Sequence, residues 1–323
     1  MTMSELTREA FSTLLDLASR PRSSIRLVLD GSTLKAGWKA LRPFSLVIAG
    51  FSCLLGLVLA LSDGPIDWIN AAAALVSGTL LQAGVNLVND FFEFKQRRLD
   101  DKIPHLAITG ERRETLEWLI FYAGMAALCA GGLIGLFITL RVGWPMAILG
   151  IAGLIGGYGY TGEPIAYKRR GLGVPIVFFL MGVLMAAGSY YAASGRFSWS
   201  VVWTSLPVSA LVSFILMTNE LRDWEADTRH GIRTLAVRIG YKKAVIVSFA
   251  LLACAYGGTC ALAASGLAPL GWLALLALPF AVPPMVLIFK PADRRAGIIP
   301  LVMLHHLAFG VAFLSGYLPF IRL

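Results

Sequence analysis

Two aspartates, Asp223 and Asp227, stand four residues apart in the stretch Asn219–Gly240, NELRDWEADTRHGIRTLAVRIG. On a helix that spacing puts both carboxylates on one face, with about 6 Å between their Cβ atoms. Glu220, three residues before Asp223, joins the face; Glu225 does not. Carboxylates held together repel, and a divalent cation relieves the repulsion. Mg²⁺ is held by one or two carboxylates together with substrate phosphates. A lone DxxxD has a plainer explanation, a solvated helix end whose acids and arginines pair at i, i+4. A second acidic cluster in an equivalent place weakens that explanation.

The second cluster lies between Gln82 and Glu93. Asn86, Asn89, Asp90 and Glu93 cover one side of a helix, with Gln82 one turn deeper. Asn86-x-x-x-Asp90 and Asn219-x-x-x-Asp223 have the same form. Each closes an even-numbered apolar run, the second and the sixth, and opens a basic loop. The pattern suggests two quasi-equivalent halves, each presenting a metal-binding end to a shared cavity. An ionised Asp at mid-bilayer costs about 2.5–3.5 kcal/mol, less near the interface, so polar stripes at these helix ends need a reason.

The elements that must hold these groups are membrane helices. Hydrophobic residues make up 57% of the 323 and charged residues 15%, with a mean hydropathy of +0.72. Nine apolar runs are expected to span a bilayer, at 44–62, 67–92, 115–140, 143–161, 172–194, 197–218, 244–265, 267–289 and 298–320. Of the 28 Lys and Arg residues, all but Arg141, Arg196 and Arg322 fall in the segments 1–43, 94–114, 162–171, 219–243 and 290–297. Positive-inside bias then puts the N-terminus and the long loops in the cytoplasm and, after nine spans, the C-terminus outside. The same bias accounts for a net charge of +9 without a nucleic-acid partner. All sizeable loops share one face, which suggests a cavity open to the cytoplasm; a channel or exchanger more often needs polar groups through the middle of the membrane. Residues 1–43 read as a cytoplasmic segment rather than a signal peptide, with a short amphipathic stretch around Leu6, Phe11, Leu14, Leu15 and Leu17. The fold class is therefore an all-α membrane protein, with 44–323 as a single nine-helix domain. The four cysteines, Cys53, Cys129, Cys254 and Cys260, lie in apolar runs without a CxxC pair, so neither a disulfide framework nor a thiolate metal site is expected.

Several stretches resemble the UbiA superfamily of intramembrane aromatic prenyltransferases. They are most like the branch that prenylates 1,4-dihydroxy-2-naphthoate in menaquinone synthesis. The second motif carries the likeness furthest, at Asn219, Arg222-Asp223, Asp227, Gly231 and the tail from Arg233 to Gly240. The first motif matches at Asn86, Asn89 and Asp90, with Pro104 and Gly110 after it. Tyr160-Thr161-Gly162-Glu163-Pro164, Tyr167-Lys168 and Gly171-Leu172-Gly173 resemble that branch's loop after the fourth span; Gly188-Ser189-Tyr190 and Arg42-Pro43 also fit. The likeness covers roughly residues 40–320. Two departures bear on the acceptor: Glu93 stands where the branch has Asp, and Arg98-Leu99-Asp100 stands where it has Gly-x-Asp, leaving open whether Asp100 or Asp101 takes part.

The resemblance implies Mg²⁺-dependent transfer of a polyprenyl group from its diphosphate to an aromatic ring at the inner membrane. In the naphthoate branch CO₂ is lost and demethylmenaquinone is formed. It implies Mg²⁺ held by Asn86, Asp90, Glu93, Asn219, Asp223 and Asp227, with Asp90, Asp223 and Asp227 central to catalysis. Lys168 is the first candidate for the diphosphate, followed by Arg97, Arg98 and Arg222. Arg42 could meet the acceptor carboxylate. Tyr160 and Tyr167, and further Tyr158, Tyr190 and Tyr191, could wall the cavity, where aromatic faces favour an allylic cation. The prenyl tail would lie in a lipid-accessible groove. Another acceptor within the superfamily (4-hydroxybenzoate, homogentisate, a chlorophyllide or a glycerol phospholipid) and a cation-coupled transporter are the alternatives. His305-His306 reads as an interhelical hydrogen bond before it reads as a site, Pro283-Pro284 as a kink, and Gly153, Gly156, Gly157 and Gly159 as close packing with cavity room.

Overall fold

The computed structural model describes residues 37–96 and 111–320, together with Ser12. Every regular element among the described residues is helical. In chain order they are α1 Pro43–Asp63, α2 Trp68–Gln96, α3 Glu111–Val142, α4 Pro145–Gly159, α5 Gly173–Ser194, α6 Trp199–Arg222, α7 Trp224–Arg229, α8 Leu235–Ile239, α9 Tyr241–Ala264, α10 Gly271–Ile288 and α11 Ile298–Ser315. A helical turn at 37–41 precedes α1. The amphipathic stretch around Leu6–Leu17 lies outside the described residues.

Each of the nine apolar runs forms a helix, but eight of these are long and apolar enough to cross a membrane. The exception is α4, with 15 residues. At 1.5 Å per residue it reaches about 22 Å, short of a hydrocarbon core of about 30 Å. Its C-terminal half carries Gly156, Gly157 and Gly159, residues of low helix propensity, and the chain leaves it in a series of turns. The loop that follows carries Tyr160, Tyr167 and Lys168. The region 219–243, expected as a loop, contains α7 and α8.

In a bilayer, water does not drive apolar helices together, so close packing over small residues matters more. A Cβ at Gly56 of α1 would lie 2.9 Å from the Tyr190 backbone nitrogen of α5, and one at Gly182 of α5 would overlap the Ser209 side chain of α6. Gly182 sits in a π-helical stretch, Phe178–Leu184, that shifts the register of α5 halfway along. One buried cluster joins α1, α5, α6 and the helices from α9 to α11. A second joins α2 to α3 through Phe91, Trp118 and Phe121, whose ring centroids lie 4.7–5.8 Å apart. Exposed Trp68, Trp144, Trp199 and Trp272 gather near one set of helix ends, and Trp38, Phe44 and Phe289 near the other, as the two interfacial belts of a membrane protein do.

The ends remote from the acid clusters are tied together. Arg141 pairs with Asp67 at 2.6 Å and donates from Nε to Asn70 Oδ1 at 2.7 Å. The Tyr190 hydroxyl donates to Asp63 Oδ2 at 2.6 Å, and that of Tyr191 to the Val142 carbonyl at 3.1 Å. Tyr190 and Tyr191 are thus fastenings at that end and not cavity walls; on α5 they lie past Ser189, where the cavity lining stops. His305 behaves as the interhelical tie expected of it, with Nε2 2.7 Å from the Tyr256 hydroxyl. His306 packs edge-on to Phe51.

Candidate active site

A cavity of 1110 Å³ opens among the helices. Asn86, Asp90, Glu93, Asn219, Asp223, Asp227, Lys168, Arg222, Arg42, Tyr160 and Tyr167 all line it, although the sequence scatters them over 186 positions. Arg97, Arg98, Asp100 and Asp101 lie outside the described residues. Tyr158 is not in the lining; its hydroxyl meets the Glu163 carbonyl at 3.3 Å. The charged groups occupy one end. From there an apolar arm runs between α2, α3, α4 and α5, past Gly131, Gly135, Gly150, Gly153, Met181 and Met185 to Ile138 and Met146.

The first cluster is built on a break in the opening helix. Arg42 has φ 50° and ψ 68°, the left-handed region, and Pro43 after it has no N–H to give. Helical hydrogen bonding lapses, and the freed Leu41 carbonyl accepts from Asn86 Nδ2 at 2.8 Å. The same Nδ2 lies 2.6 Å from Ser45 Oγ, while Asn86 Oδ1 accepts from Gln82 Nε2 at 2.9 Å. Asn86 therefore pins α2 to the break. The break in turn aims Arg42 across to α2, where its Nη2 lies 2.5 Å from Asp90 Oδ1 and 3.6 Å from Glu93 Oε2.

Lys168 arrives from the loop after α4, in the 3₁₀ turn Tyr167–Arg170. Its ammonium pairs with Glu93 Oε1, lies 3.4 Å from Asn89 Oδ1 and sits 5.5 Å from the Tyr160 ring centroid. Burial works against this ammonium, but Glu93 and then Tyr160 outweigh it and hold the pKa above the ordinary lysine range. Burial pushes the Tyr160 phenol up to about 12 and the Tyr167 phenol higher still. Both therefore stay neutral hydroxyls, ring edge to ring face at 5.6 Å. Glu93 bridges Arg42 and Lys168, a reach for which the extra methylene of Glu over Asp is suited.

The second cluster stands at a corner. α6 stops at Arg222, and Asp223 joins it to the six-residue α7 with φ −92° and ψ 4°. Asp223 and Asp227 are thus not on one continuous helix. The Asp227 N–H nonetheless donates to the Asp223 carbonyl at 2.8 Å, which preserves their helical spacing. Arg222 grips its neighbour Asp223 with both arms, at 2.8 and 2.6 Å. Asp227 is buried, and Asn219 Oδ1 is buried without a hydrogen-bond partner. Glu220 shares the cavity lining but serves the fold: its Oε2 accepts the Ala236 N–H at 2.9 Å and caps α8, whose own N-cap, Thr234, makes no side-chain cap.

The donor chemistry suits a hard divalent cation, because all the candidate ligands are oxygens. Among the described residues no three His, Cys, Asp or Glu side chains lie close enough to hold an ion by themselves. Asp90, Glu93 and Asp223 are instead neutralised by Arg42, Lys168 and Arg222. Sequence reasoning did not find the capping role of Glu220 or, beyond Gly153, the glycines of the apolar arm. The second had a readable signal in Gly131 and Gly135, spaced by four on α3.

Residues 49–314 match the UbiA prenyltransferase family. The 1,4-dihydroxy-2-naphthoate octaprenyltransferase of Bacillus subtilis (strain 168) is 29% identical over 221 residues, which are 68% of this chain and 70% of that protein. A UbiA homologue from Aeropyrum pernix K1, solved in its apo form, has the same fold with a TM-score of 0.62 at 18% identity, over 84% of this chain and 96% of that one. One from Archaeoglobus fulgidus, solved with GPP and Mg²⁺, gives a TM-score of 0.57 at 16% identity, over 89% of this chain and all of that one. With a match running from α1 through α11, the chain is a multi-pass membrane prenyltransferase that belongs to the UbiA prenyltransferase family.

Proposed function

We propose that this chain transfers a polyprenyl group from polyprenyl diphosphate to 1,4-dihydroxy-2-naphthoate, giving demethylmenaquinone, first as its quinol. The observation that carries the reading is the two-ended cavity: acids and cations at one end, a glycine- and methionine-lined arm at the other. That is the shape and polarity of an amphiphile with a diphosphate head and an isoprenoid tail. The naphthoate acceptor rests on the Bacillus relative and on the Tyr160–Lys168 loop.

In this reading Asp90, Glu93, Asn219, Asp223 and Asp227 are the oxygens that would hold Mg²⁺, with Asn86 keeping α2 in place beside them. When bound, the ion shields the diphosphate charge and makes it a better leaving group. Because no three acids among the described residues form a closed cage, the remaining ligands would include diphosphate oxygens. Lys168 and Arg222 would then turn from the carboxylates toward the phosphates, with Arg97 and Arg98 as further candidates for the diphosphate. The allylic C–O bond breaks with its electron pair going to the diphosphate. The ring carbon bearing the carboxylate attacks the allylic carbon, and loss of CO₂ returns the electrons of that C–C bond to the ring. Tyr160 and Tyr167 present neutral aromatic faces to the allylic cation and exclude water. Arg42, whose side chain is partly exposed, is the side chain placed to meet the acceptor carboxylate once Asp90 is otherwise engaged.

The site opens to the cytoplasm in this reading. Residues 1–43 form the cytoplasmic segment, 44–323 the catalytic domain, and the C-terminus lies outside the inner membrane. Family membership sets aside the transporter reading.

A membrane assay with polyprenyl diphosphate, Mg²⁺ and a panel of aromatic acceptors, read by mass spectrometry, tests the proposal. The expected product is an EDTA-sensitive prenylated naphthoquinol that has lost CO₂. Product with another acceptor alone would overturn the naphthoate assignment and leave the family intact. The apolar arm has its own test. A Cβ at Gly135, Gly150 or Gly188 would meet nothing within 4 Å, so a side chain there fills cavity without displacing a neighbour. Gly150→Leu is expected to retain activity with geranyl diphosphate and lose it with long polyprenyl diphosphates. Unchanged chain-length preference would place the tail elsewhere.

A further inference from the structure

We infer that Arg295, through Glu225 and the end of α6, positions the second acid cluster for metal and diphosphate; the inference rests on the prenyl-transfer reading above. Arg295 lies in the 3₁₀ turn Ala292–Gly297 between α10 and α11, and its side chain is 8% exposed. Neither Arg295 nor Glu225 lines the cavity, but Ala292 and Ala296 on either side of Arg295 do. The turn is thus part of the cavity wall while its guanidinium points away from the cavity.

That guanidinium is held through Nη1 and Nε. Nη1 donates to Glu225 Oε1 at 2.9 Å, to Glu225 Oε2 at 3.0 Å and to the Leu221 carbonyl at 3.2 Å. Nε donates to the Lys290 carbonyl at 2.7 Å. The cation also stands 4.6 Å from the centroid of Tyr241, whose hydroxyl is fixed on the Ile288 carbonyl. Leu221 lies in the last turn of α6, where carbonyls have no partner within the helix. Asp223 is two residues beyond Leu221 and two before Glu225. One buried cation therefore holds the chain on both sides of the corner residue.

The corner's other ties are backbone bonds at Asp223, the Trp224 ring edge-on to Tyr241 at 5.7 Å, and the pairing of Asp223 with its own neighbour, Arg222, while α7 is only six residues long. Arg295 supplies an anchor from a different part of the fold. Its fork matches a carboxylate and two carbonyls together, which the single ammonium of lysine cannot do. A purely structural role would affect how much protein folds, and would leave metal affinity alone in whatever does fold.

The test uses the full chain in nanodiscs. Mn²⁺ binding is followed by electron paramagnetic resonance in the presence of an unreactive geranyl thiolodiphosphate, alongside KM for donor and acceptor. Removing a residue that orients a metal ligand costs about 10–100-fold in metal affinity. Arg295→Gln is expected to weaken Mn²⁺ binding by about tenfold or more and to raise the donor KM, with the acceptor KM unchanged. Arg295→Lys is expected to fall between Arg295→Gln and the wild type. If Arg295→Gln does not fold, Glu225→Gln keeps the bonds to the backbone carbonyls and gives the milder form of the same test. Wild-type Mn²⁺ affinity in the folded fraction of these variants would overturn the inference. Failure of the prenyl-transfer reading itself would be seen separately, as wild-type protein that binds no Mn²⁺ with the thiolodiphosphate and forms no product.

Discussion

Asp223→Ala is expected to cut turnover by at least about 10²–10³-fold, the scale on which a charge-stabilising group at a reacting centre is worth keeping, and to leave membrane insertion intact. The local bonds separate the two effects. The hydrogen bonds that hold this residue in the corner are backbone bonds, from its N–H to the Asn219 carbonyl at 3.0 Å and from the Asp227 N–H to its own carbonyl at 2.8 Å. Alanine keeps both. What it removes is the carboxylate, and with it the partner of Arg222, a side chain about one-third exposed that water can solvate. Single-turnover release of diphosphate, measured beside thermal unfolding, distinguishes the effects. Near-normal release would take Asp223 out of the metal site.

Lys168→Ala carries the second large effect, on the donor. The ammonium stands between Glu93, Asn89 and the face of Tyr160, where a diphosphate oxygen can replace Glu93 as its partner. Hydrogen bonds to charged groups are worth about 1.5–3 kcal/mol, so KM for prenyl diphosphate should rise by at least about tenfold while the acceptor KM changes little. The opposite split would reassign Lys168 to the acceptor. The pH dependence has a definite sign. The folded pKa is raised, so this ammonium's contribution to stability is complete below its unfolded value of about 10.4 and is lost only as pH rises through the folded value. A limb of the rate profile between about pH 6 and 9 should therefore survive the substitution.

The parts of this molecule that were legible in the sequence follow simple periodicities. Apolar runs near twenty residues become helices, and Asn86, Asp90, Asn219 and Asp223 meet at one cavity because each closes a helix at the same end. What was not legible depends on neighbours brought in from elsewhere in the chain. Glu220 reads as a member of the acidic face until Ala236 arrives with a free N–H. Tyr190 and Tyr191 read as cavity walls because aromatic faces favour an allylic cation. Their direction was decided by Asp63 and the Val142 carbonyl, far off in sequence. Glu225 was set aside for being off the Asp223 face, and that displacement is what lets it reach Arg295. Arg42 was read as free to meet a carboxylate; the helix break that gives it reach also delivers it to Asp90. The length of α4 was overestimated because glycines score as apolar in a hydropathy window while adding little to a helix.

The placement of charge along the cavity bears on the membrane as an electrical insulator. A chamber of 1110 Å³ among the eight spans of the described residues has the outline of a weak point through which ions could leak. The charged side chains among its described lining residues, from Lys39 to Asp227, all lie at the end with the acid clusters. The other end of the chamber is lined by the apolar side chains of Ala74, Ile138 and Met146, and the Asp67–Arg141 pair ties the far helix ends together. An ion that entered beside Asp90 would have to shed its hydration shell to go further, at a cost of many kcal/mol in so apolar a passage. On the proposed function, the chamber would admit a charged donor from one side and still leave a transmembrane ion gradient undisturbed.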